Sequence, residues 1–259
     1  MIKKIGIICT LLILQLACFS QNSILVNYSS DSNARQQKKP LLNFSYKQLI
    51  IPSTGIIYGI VGLNIPSLRL LNREISEEVN EHIDGKFSID DIAQYVPAVS
   101  AFGLELMGIQ GTNSLKERSL VLLTSYILMI SVVSSLKNTT KIERPDKTGH
   151  NSFPSGHTAN AFVGAELLWQ EYREQSIWIG IAGYAIASGT GAFRILNNRH
   201  WLTDVTMGAG IGILSTKLAY WLYPYLNSAL FHCNSRSNAL RLEPQIHSNQ
   251  YGLCLHLGF

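Results

Sequence analysis

The chain has 259 residues, of which 46% are hydrophobic and only 15% charged, and its formal net charge is +4. This length leaves room for one sizeable core, and the low content of charged residues argues against an ordinary soluble enzyme. Lysine and arginine are scattered along the chain, without the basic stripe or the stacking aromatics of a nucleic-acid-binding protein. We therefore expect a single apolar domain and no nucleic-acid partner.

The first twenty residues have the layout of a secretory signal peptide. Lys3 and Lys4 precede the apolar run 5–14, and small residues follow before Gln21. This pattern predicts that residues 1–20 are removed on export. An uncleaved membrane anchor and a lipid anchor on Cys18 are the alternatives, although the apolar run is short for a full span.

Beyond the signal, residues 21–44 are rich in Asn, Ser and Gln and indicate a mobile leader. A helical domain is predicted over residues 45–226, because six apolar segments follow one another there. They cover residues 48–68, 92–115, 119–136, 158–169, 175–193 and 205–226. The mean hydropathy of +0.13 is low for six membrane spans. Proline and glycine in segment 48–68 favour a break in that helix.

Two polar stretches flank or interrupt the helical domain. Residues 72–91 predict a solvated connector that ends in a helix-start pattern. The tail at 227–259 is polar until residues 251–259, where apolar residues alternate and predict one short strand. After removal of the signal, Cys233 and Cys254 are the remaining cysteines. They form either a disulfide or two free thiols.

Seven glycines lie inside the last two apolar segments. Small residues let apolar helices approach each other closely, especially in membranes, so we interpret these glycines as helix contacts. They are Gly180, Gly183, Gly189, Gly191, Gly208, Gly210 and Gly212.

Three polar clusters are not explained by apolar packing. They are Lys137 with Arg144, then Ser155 with Gly156 and His157, and finally Arg194 with His200 and Asp204. The segments 158–169 and 175–193 are joined by a short polar link and therefore form a helical hairpin. Since the clusters flank the open end of this hairpin, we expect all three to lie on one side of the bundle.

The side chains of these clusters suit a phosphate group. Ser155 is a favourable residue at a helix start, and Gly156 leaves the backbone N–H groups open to an anion. Arginine and lysine add positive charge, and guanidinium groups match phosphate oxygens two at a time. His200 is four residues before Asp204, so a carboxylate can orient that imidazole as a nucleophile. His157 is then available to protonate a leaving oxygen.

Together, these motifs resemble those of the type 2 phosphatidic acid phosphatase and vanadium haloperoxidase superfamily. The resemblance rests on Lys137 to Pro145, Pro154 to His157 and Arg194 to Asp204. It implies an all-α six-helix bundle, membrane-associated, with a polar C-terminal tail. It also implies metal-free hydrolysis of a phosphomonoester or diphosphate through a phosphohistidine, with no cofactor.

The resemblance further implies a role for each matching residue. His200 attacks phosphorus, Asp204 supports it, and His157 protonates the leaving oxygen. The phosphoryl oxygens are held by Lys137, Arg144, Ser155, Gly156 and Arg194.

The substrate expected from the apolar segments is a phosphorylated lipid, such as phosphatidic acid, undecaprenyl diphosphate or a lipid A phosphate. The resemblance also implies a location in the membrane of the bacterial cell envelope, with the active site on the periplasmic side. A cleaved signal followed by three spans would instead leave the site in the cytoplasm, so one early segment is expected not to cross. Alternatives are a soluble periplasmic acid phosphatase, a vanadium haloperoxidase and a non-enzymatic membrane protein that retains the signature.

Overall fold

The computed structural model describes residues 42–82, 88–231, 241–247 and 250–256. In these ranges a short 3₁₀ turn, Tyr46–Leu49, is followed by eight α-helices and two strands. The helices are α1 (Ile50–Gly62), α2 (Pro66–His82), α3 (Ile89–Ala93), α4 (Val96–Leu106), α5 (Leu115–Thr140), α6 (Gly156–Tyr172), α7 (Ile177–Leu196) and α8 (Leu202–Phe231). The strands β1 (Arg241–His247) and β2 (Gln250–His256) pair antiparallel. The predicted all-α class is confirmed for the bundle.

Helix α6 lies at the centre of the bundle and packs against α4, α5, α7 and α8. Its contact with α7 uses the small buried residues Ala161, Ala165 and Ala187, which let the two helices of the hairpin approach closely. On the side of α5 and α8, larger apolar residues such as Val133, Phe153 and Met207 form a core directly beneath the N-terminus of α6. The hairpin predicted from the short polar link is therefore the scaffold of the bundle.

Helix α5 begins and ends at residues that suit those positions. Ser114 and Glu117 form a reciprocal capping box, in which the Ser114 Oγ accepts from the Glu117 N–H and the Glu117 carboxylate accepts from the Ser114 N–H. The helix ends at Lys141, which has a left-handed backbone conformation with φ of 48°. Lys137 consequently lies in the last turn of α5, at the end where the phosphate-binding motifs are expected.

Two described helices, Leu115–Thr140 and Ile177–Leu196, are long and apolar enough to cross a membrane. A third candidate is a pair of helices, 46–62 and 66–79, which are bent by 92° at the break between them. The break follows Gly62, in the segment where proline and glycine predict an interruption. The chain is thus suited to membrane association through a few of its apolar helices.

The predicted solvated connector is wrong for its first part, because α2 extends through residue 82. Two polar side chains of α2 are buried against residues that flank the start of α8. The amide Nδ2 of Asn72 donates to the hydroxyl of Thr203 at 3.0 Å, and the hydroxyl of Ser76 donates to Asn198 Oδ1 at 2.7 Å. Helix α2 therefore supports the loop that carries the third motif.

Glycine allows α8 to pass close to both α6 and α1. A Cβ atom on Gly208 would lie 2.5 Å from the carbonyl oxygen of Ser155, and one on Gly210 would lie 2.6 Å from that of Pro52. The predicted helix contacts are confirmed at these positions. Gly189 differs, because a Cβ atom placed there meets no heavy atom within 4 Å.

We expect Gly208→Ala to disturb the bundle next to Ser155, because a backbone carbonyl cannot move aside as a flexible side chain can. Overpacking of this kind typically costs about 1–3 kcal/mol. The melting temperature of the purified protein in detergent should fall measurably. Gly189→Ala is the matched control on α7 and should leave the melting temperature unchanged or slightly higher, because alanine favours a helix more than glycine does. Equal melting temperatures for the two variants would contradict the close approach of α8 to α6.

Some sequence predictions lie outside the described residues, namely the signal peptide, the leader up to residue 41, and Cys233 with its possible disulfide. In the tail, two strands are present where a single strand was predicted, and β2 begins one residue before the predicted alternation.

Candidate active site

The two cations of the first motif meet at one asparagine in the loop between α5 and α6. Lys137 Nζ donates to the backbone carbonyl of Asn151 at 2.5 Å, and Arg144 Nε donates to the Asn151 side-chain oxygen at 2.8 Å. Thus Asn151 brings a residue from the end of α5 and a residue from the loop to the same place. The spacing in the sequence did not identify this asparagine.

The second motif caps α6 and is joined to the third motif through the backbone. The Ser155 Oγ accepts from the backbone N–H of Thr158 at 3.5 Å and lies 2.9 Å from the Thr158 hydroxyl. The Ser155 N–H donates to the carbonyl of Asp204 at 3.0 Å. Gly156 follows in an open position, since a Cβ there would meet only Val133, at 3.9 Å. The first turn of α6 therefore keeps the free space that an anion at a helix N-terminus needs.

The third motif contains a buried imidazole and a buried carboxylate. His200 and Asp204 are 2% and 0% exposed, and the His200 Nδ1 lies 3.4 Å from the Asp204 Oδ2. That oxygen also accepts from the Ser152 hydroxyl at 2.5 Å and from the Trp201 N–H at 3.0 Å. With two further donors holding its carboxylate, Asp204 is fixed in position beside the imidazole.

Burial is the largest influence on the pKa of His200, and it lowers that pKa. The nearby carboxylate of Asp204 opposes this effect, whereas the positive charges of Lys137 and Arg144 lower the pKa further. The net direction favours a neutral imidazole at neutral pH. A neutral ring with a carboxylate at Nδ1 leaves the lone pair at Nε2, which is the form that a nucleophile requires.

The cations of the site also repel one another. Burial lowers the pKa of Arg144, and the nearby charges of Arg194 and Arg199 lower it further, against the effect of Asp146 and Asp204. A doubly charged anion placed among these groups would relieve the repulsion. The electrostatics therefore suit a phosphate-sized dianion.

Two carboxylates from α3 complete the site, and the sequence did not assign them to it. Arg194 Nη1 donates to Asp90 Oδ2 at 2.5 Å and lies 3.4 Å from Asp91 Oδ1. The His157 Nε2 lies 2.9 Å from that same oxygen of Asp91. The helix-start pattern at Ser88 was the available signal, but the Ser88 side chain makes no capping hydrogen bond. The adjacent acids face the cations of the site instead.

The structure thus brings together all eight residues that the sequence singled out, at one end of the bundle. They come from the end of α5, the following loop, the N-terminus of α6, the end of α7 and the start of α8. Within the part of the chain that the structure describes, no group of three or more His, Cys, Asp or Glu side chains is arranged to hold a metal ion.

Parts of the chain are similar to known proteins. The PAP2 superfamily matches residues 118–228. The lipid A 1-phosphatase of Porphyromonas gingivalis is 41% identical over 190 residues, which are 71% of this chain and 40% of that protein. The bacitracin transport permease protein BcrC of Bacillus licheniformis is 32% identical over 77 residues, which are 30% of this chain and 36% of that protein. The chain therefore spans well under half the length of the curated relatives it matches.

Two solved structures also match parts of the chain. LpxE of Aquifex aeolicus matches with a TM-score of 0.45 and 26% identity, over 57% of this chain and 94% of that one. A transmembrane PAP2-type phosphatidylglycerolphosphate phosphatase of Bacillus subtilis matches with a TM-score of 0.49 and 21% identity, over 73% of this chain and 100% of that one. With its three motifs gathered around one end of the bundle, the segment at residues 118–228 belongs to the PAP2 superfamily.

Proposed function

We propose that this protein is a phosphatase that hydrolyses a phosphomonoester or diphosphate of a lipid through a phosphohistidine intermediate, without a metal ion. The observation that carries this proposal is the buried His200–Asp204 pair, placed where three cations and the N-terminus of α6 converge. The helical domain at residues 45–226 supplies this site.

The first chemical step follows from the two nitrogens of His200. Asp204 holds Nδ1, so the lone pair of Nε2 attacks phosphorus and forms the P–N bond while the P–O bond of the ester breaks. His157 gives a proton to the departing oxygen. Neutral His157 then takes a proton from water, whose oxygen attacks phosphorus and breaks the P–N bond. The products are an alcohol and inorganic phosphate.

The phosphoryl group would be held by charge-assisted hydrogen bonds. Lys137, Arg144 and Arg194 supply cationic donors, and the start of α6 supplies the Ser155 hydroxyl and the Gly156 backbone N–H. Each hydrogen bond to a charged group contributes about 1.5–3 kcal/mol. Several acting together offset the cost of removing a strongly hydrated anion from water.

A lipid is the proposed substrate because apolar helices suited to a membrane frame the site. The relative with 41% identity is a lipid A 1-phosphatase, so a lipid A-type phosphate is the first candidate, followed by phosphatidic acid and undecaprenyl diphosphate. We further propose that the site faces the periplasm, in keeping with the predicted signal peptide.

The direct test is phosphate release by the protein purified in detergent, measured on lipid A, phosphatidic acid, undecaprenyl diphosphate and a soluble aryl phosphate. We expect a turnover on at least one lipid that exceeds turnover on the soluble ester, unchanged by EDTA and inhibited by vanadate. Loss of activity with EDTA would contradict the metal-free mechanism. If protein extracted without detergent hydrolysed soluble esters as fast as lipid phosphates, the result would instead favour a soluble acid phosphatase.

A further inference from the structure

The two acidic residues of α3 occupy different environments. Asp90 is 0% exposed and binds Arg194 and the side-chain amide of Asn197, at 2.5 and 3.2 Å. The Asp91 side chain is 56% exposed, and its Oδ1 lies 2.9 Å from His157 Nε2. Thus Asp90 is a buried partner of the arginine, whereas Asp91 lies at the open edge of the site beside the imidazole.

Five influences act on the charge of His157. Burial, followed by the positive charge of Arg194, lowers its pKa. The hydrogen bond and the charge of Asp91 raise the pKa, and the charge of Asp90 adds a smaller increase. Together these influences lower the pKa of His157, and the contact with Asp91 is the main one that opposes the lowering.

We propose that Asp91 is a positioning residue that orients the His157 imidazole and favours its protonated form for proton transfer to the leaving group. This inference rests on the proposed function. With Nε2–H held by the Asp91 carboxylate, the proton available to the leaving oxygen is the one on Nδ1. The arrangement parallels that of the nucleophile, in which Asp204 holds one nitrogen of His200 and leaves the other free.

Removal of the Asp91 carboxylate should shift the pH dependence of activity in a predictable direction. A general acid must be protonated in the enzyme–substrate complex, so activity falls as the pH rises through its pKa. Asp91→Asn removes the negative charge and lowers that pKa, typically by about one unit for a close ion pair. The pH at which kcat falls on the alkaline side should therefore be about one unit lower in Asp91→Asn. Above that pH, kcat should be about tenfold lower than in the unsubstituted protein, and at acidic pH it should change little.

The experiment compares Asp91→Asn, Asp91→Glu and Asp90→Asn with the unsubstituted protein, by kcat and KM profiles from pH 4.5 to 9. Asp91→Glu keeps the negative charge and should therefore retain most of the kcat of the unsubstituted protein at alkaline pH. Asp90→Asn should raise KM by loosening Arg194, with a much smaller change in the pH at which kcat falls. A uniform loss of kcat at every pH in Asp91→Asn, or an increase in kcat, would overturn the proposal.

A second measurement does not depend on activity. NMR titration of histidine-labelled protein in detergent, with His157→Gln to assign the signal, gives the midpoint for His157 directly. We expect a midpoint about one unit lower in Asp91→Asn than in the unsubstituted protein. Equal midpoints would refute the role of Asp91. If the unsubstituted protein releases no phosphate from any substrate, the proposed function fails, while the titration still decides the Asp91–His157 link.

Discussion

Replacement of His200 by alanine is expected to reduce phosphate release by at least about 10³-fold, the scale seen when a catalytic nucleophile is removed. His200 is the residue whose Nε2 is proposed to form the P–N bond, whereas the Nε2 of His157 is bound to Asp91. The rate of phosphate release under substrate saturation measures the effect. A radiolabelled lipid phosphate should also leave covalent, acid-labile label on the unsubstituted protein and none on His200→Ala.

The controls take account of where His200 lies. The His200 side chain is 2% exposed, so its truncation to alanine would leave a buried cavity. His200→Asn, which fills more of the vacated space, should therefore accompany the alanine variant. His150→Ala is the matched control, since His150 is exposed and one residue before Asn151. Retention of normal turnover in both His200 variants, with His150→Ala also normal, would remove His200 from the mechanism.

Loss of the Arg118 side chain is expected to cause the largest loss of stability. Arg118 is 1% exposed, and its Nη1 donates to the Ala101 carbonyl at 2.6 Å and lies 3.0 Å from the Glu105 carboxylate. Its Nε lies 3.5 Å from the carboxylate of Glu171, which is 0% exposed. The guanidinium therefore ties together α4, α5 and α6 at the end of the bundle that lies away from the active site.

Arg118→Met would leave the Glu171 carboxylate buried beside Tyr220 without its cationic partner. Breaking a buried ion pair in this way typically costs about 3–5 kcal/mol. We expect a marked fall in melting temperature and in resistance to proteolysis in detergent. Adding Glu171→Gln should recover part of the loss, because the uncompensated charge is then removed.

Arg173→Ala is the matched control for this prediction, because Arg173 directly follows α6 and is only half-buried. It should change the melting temperature little, as surface substitutions usually alter stability by less than about 0.5 kcal/mol. A similar fall for Arg118→Met and Arg173→Ala would show that the buried ionic cluster does not stabilise the bundle.

The residues themselves determined a large part of the active site. Ser155 is a favourable helix cap, and the hairpin of α6 and α7 places the second and third motifs at the same end. The cap depends on local residue preference, and the hairpin depends on the order of the apolar segments. Both properties can be identified in the sequence alone. The break after the first helix is equally local, since glycine and proline weaken a helix wherever they occur.

Only the tertiary structure decided the partners of the polar side chains. Asp91 and His157 are 66 residues apart, and Asp90 and Arg194 are 104 apart, so no periodic pattern relates them. Asn72 and Thr203 are 131 residues apart, so no sequence pattern indicated their contact. For this reason the polar residues of α2 were predicted to belong to a solvated connector. Hydrophobic periodicity specifies which face of a helix is buried, whereas the pairing of buried polar groups depends on which helices meet and at what height.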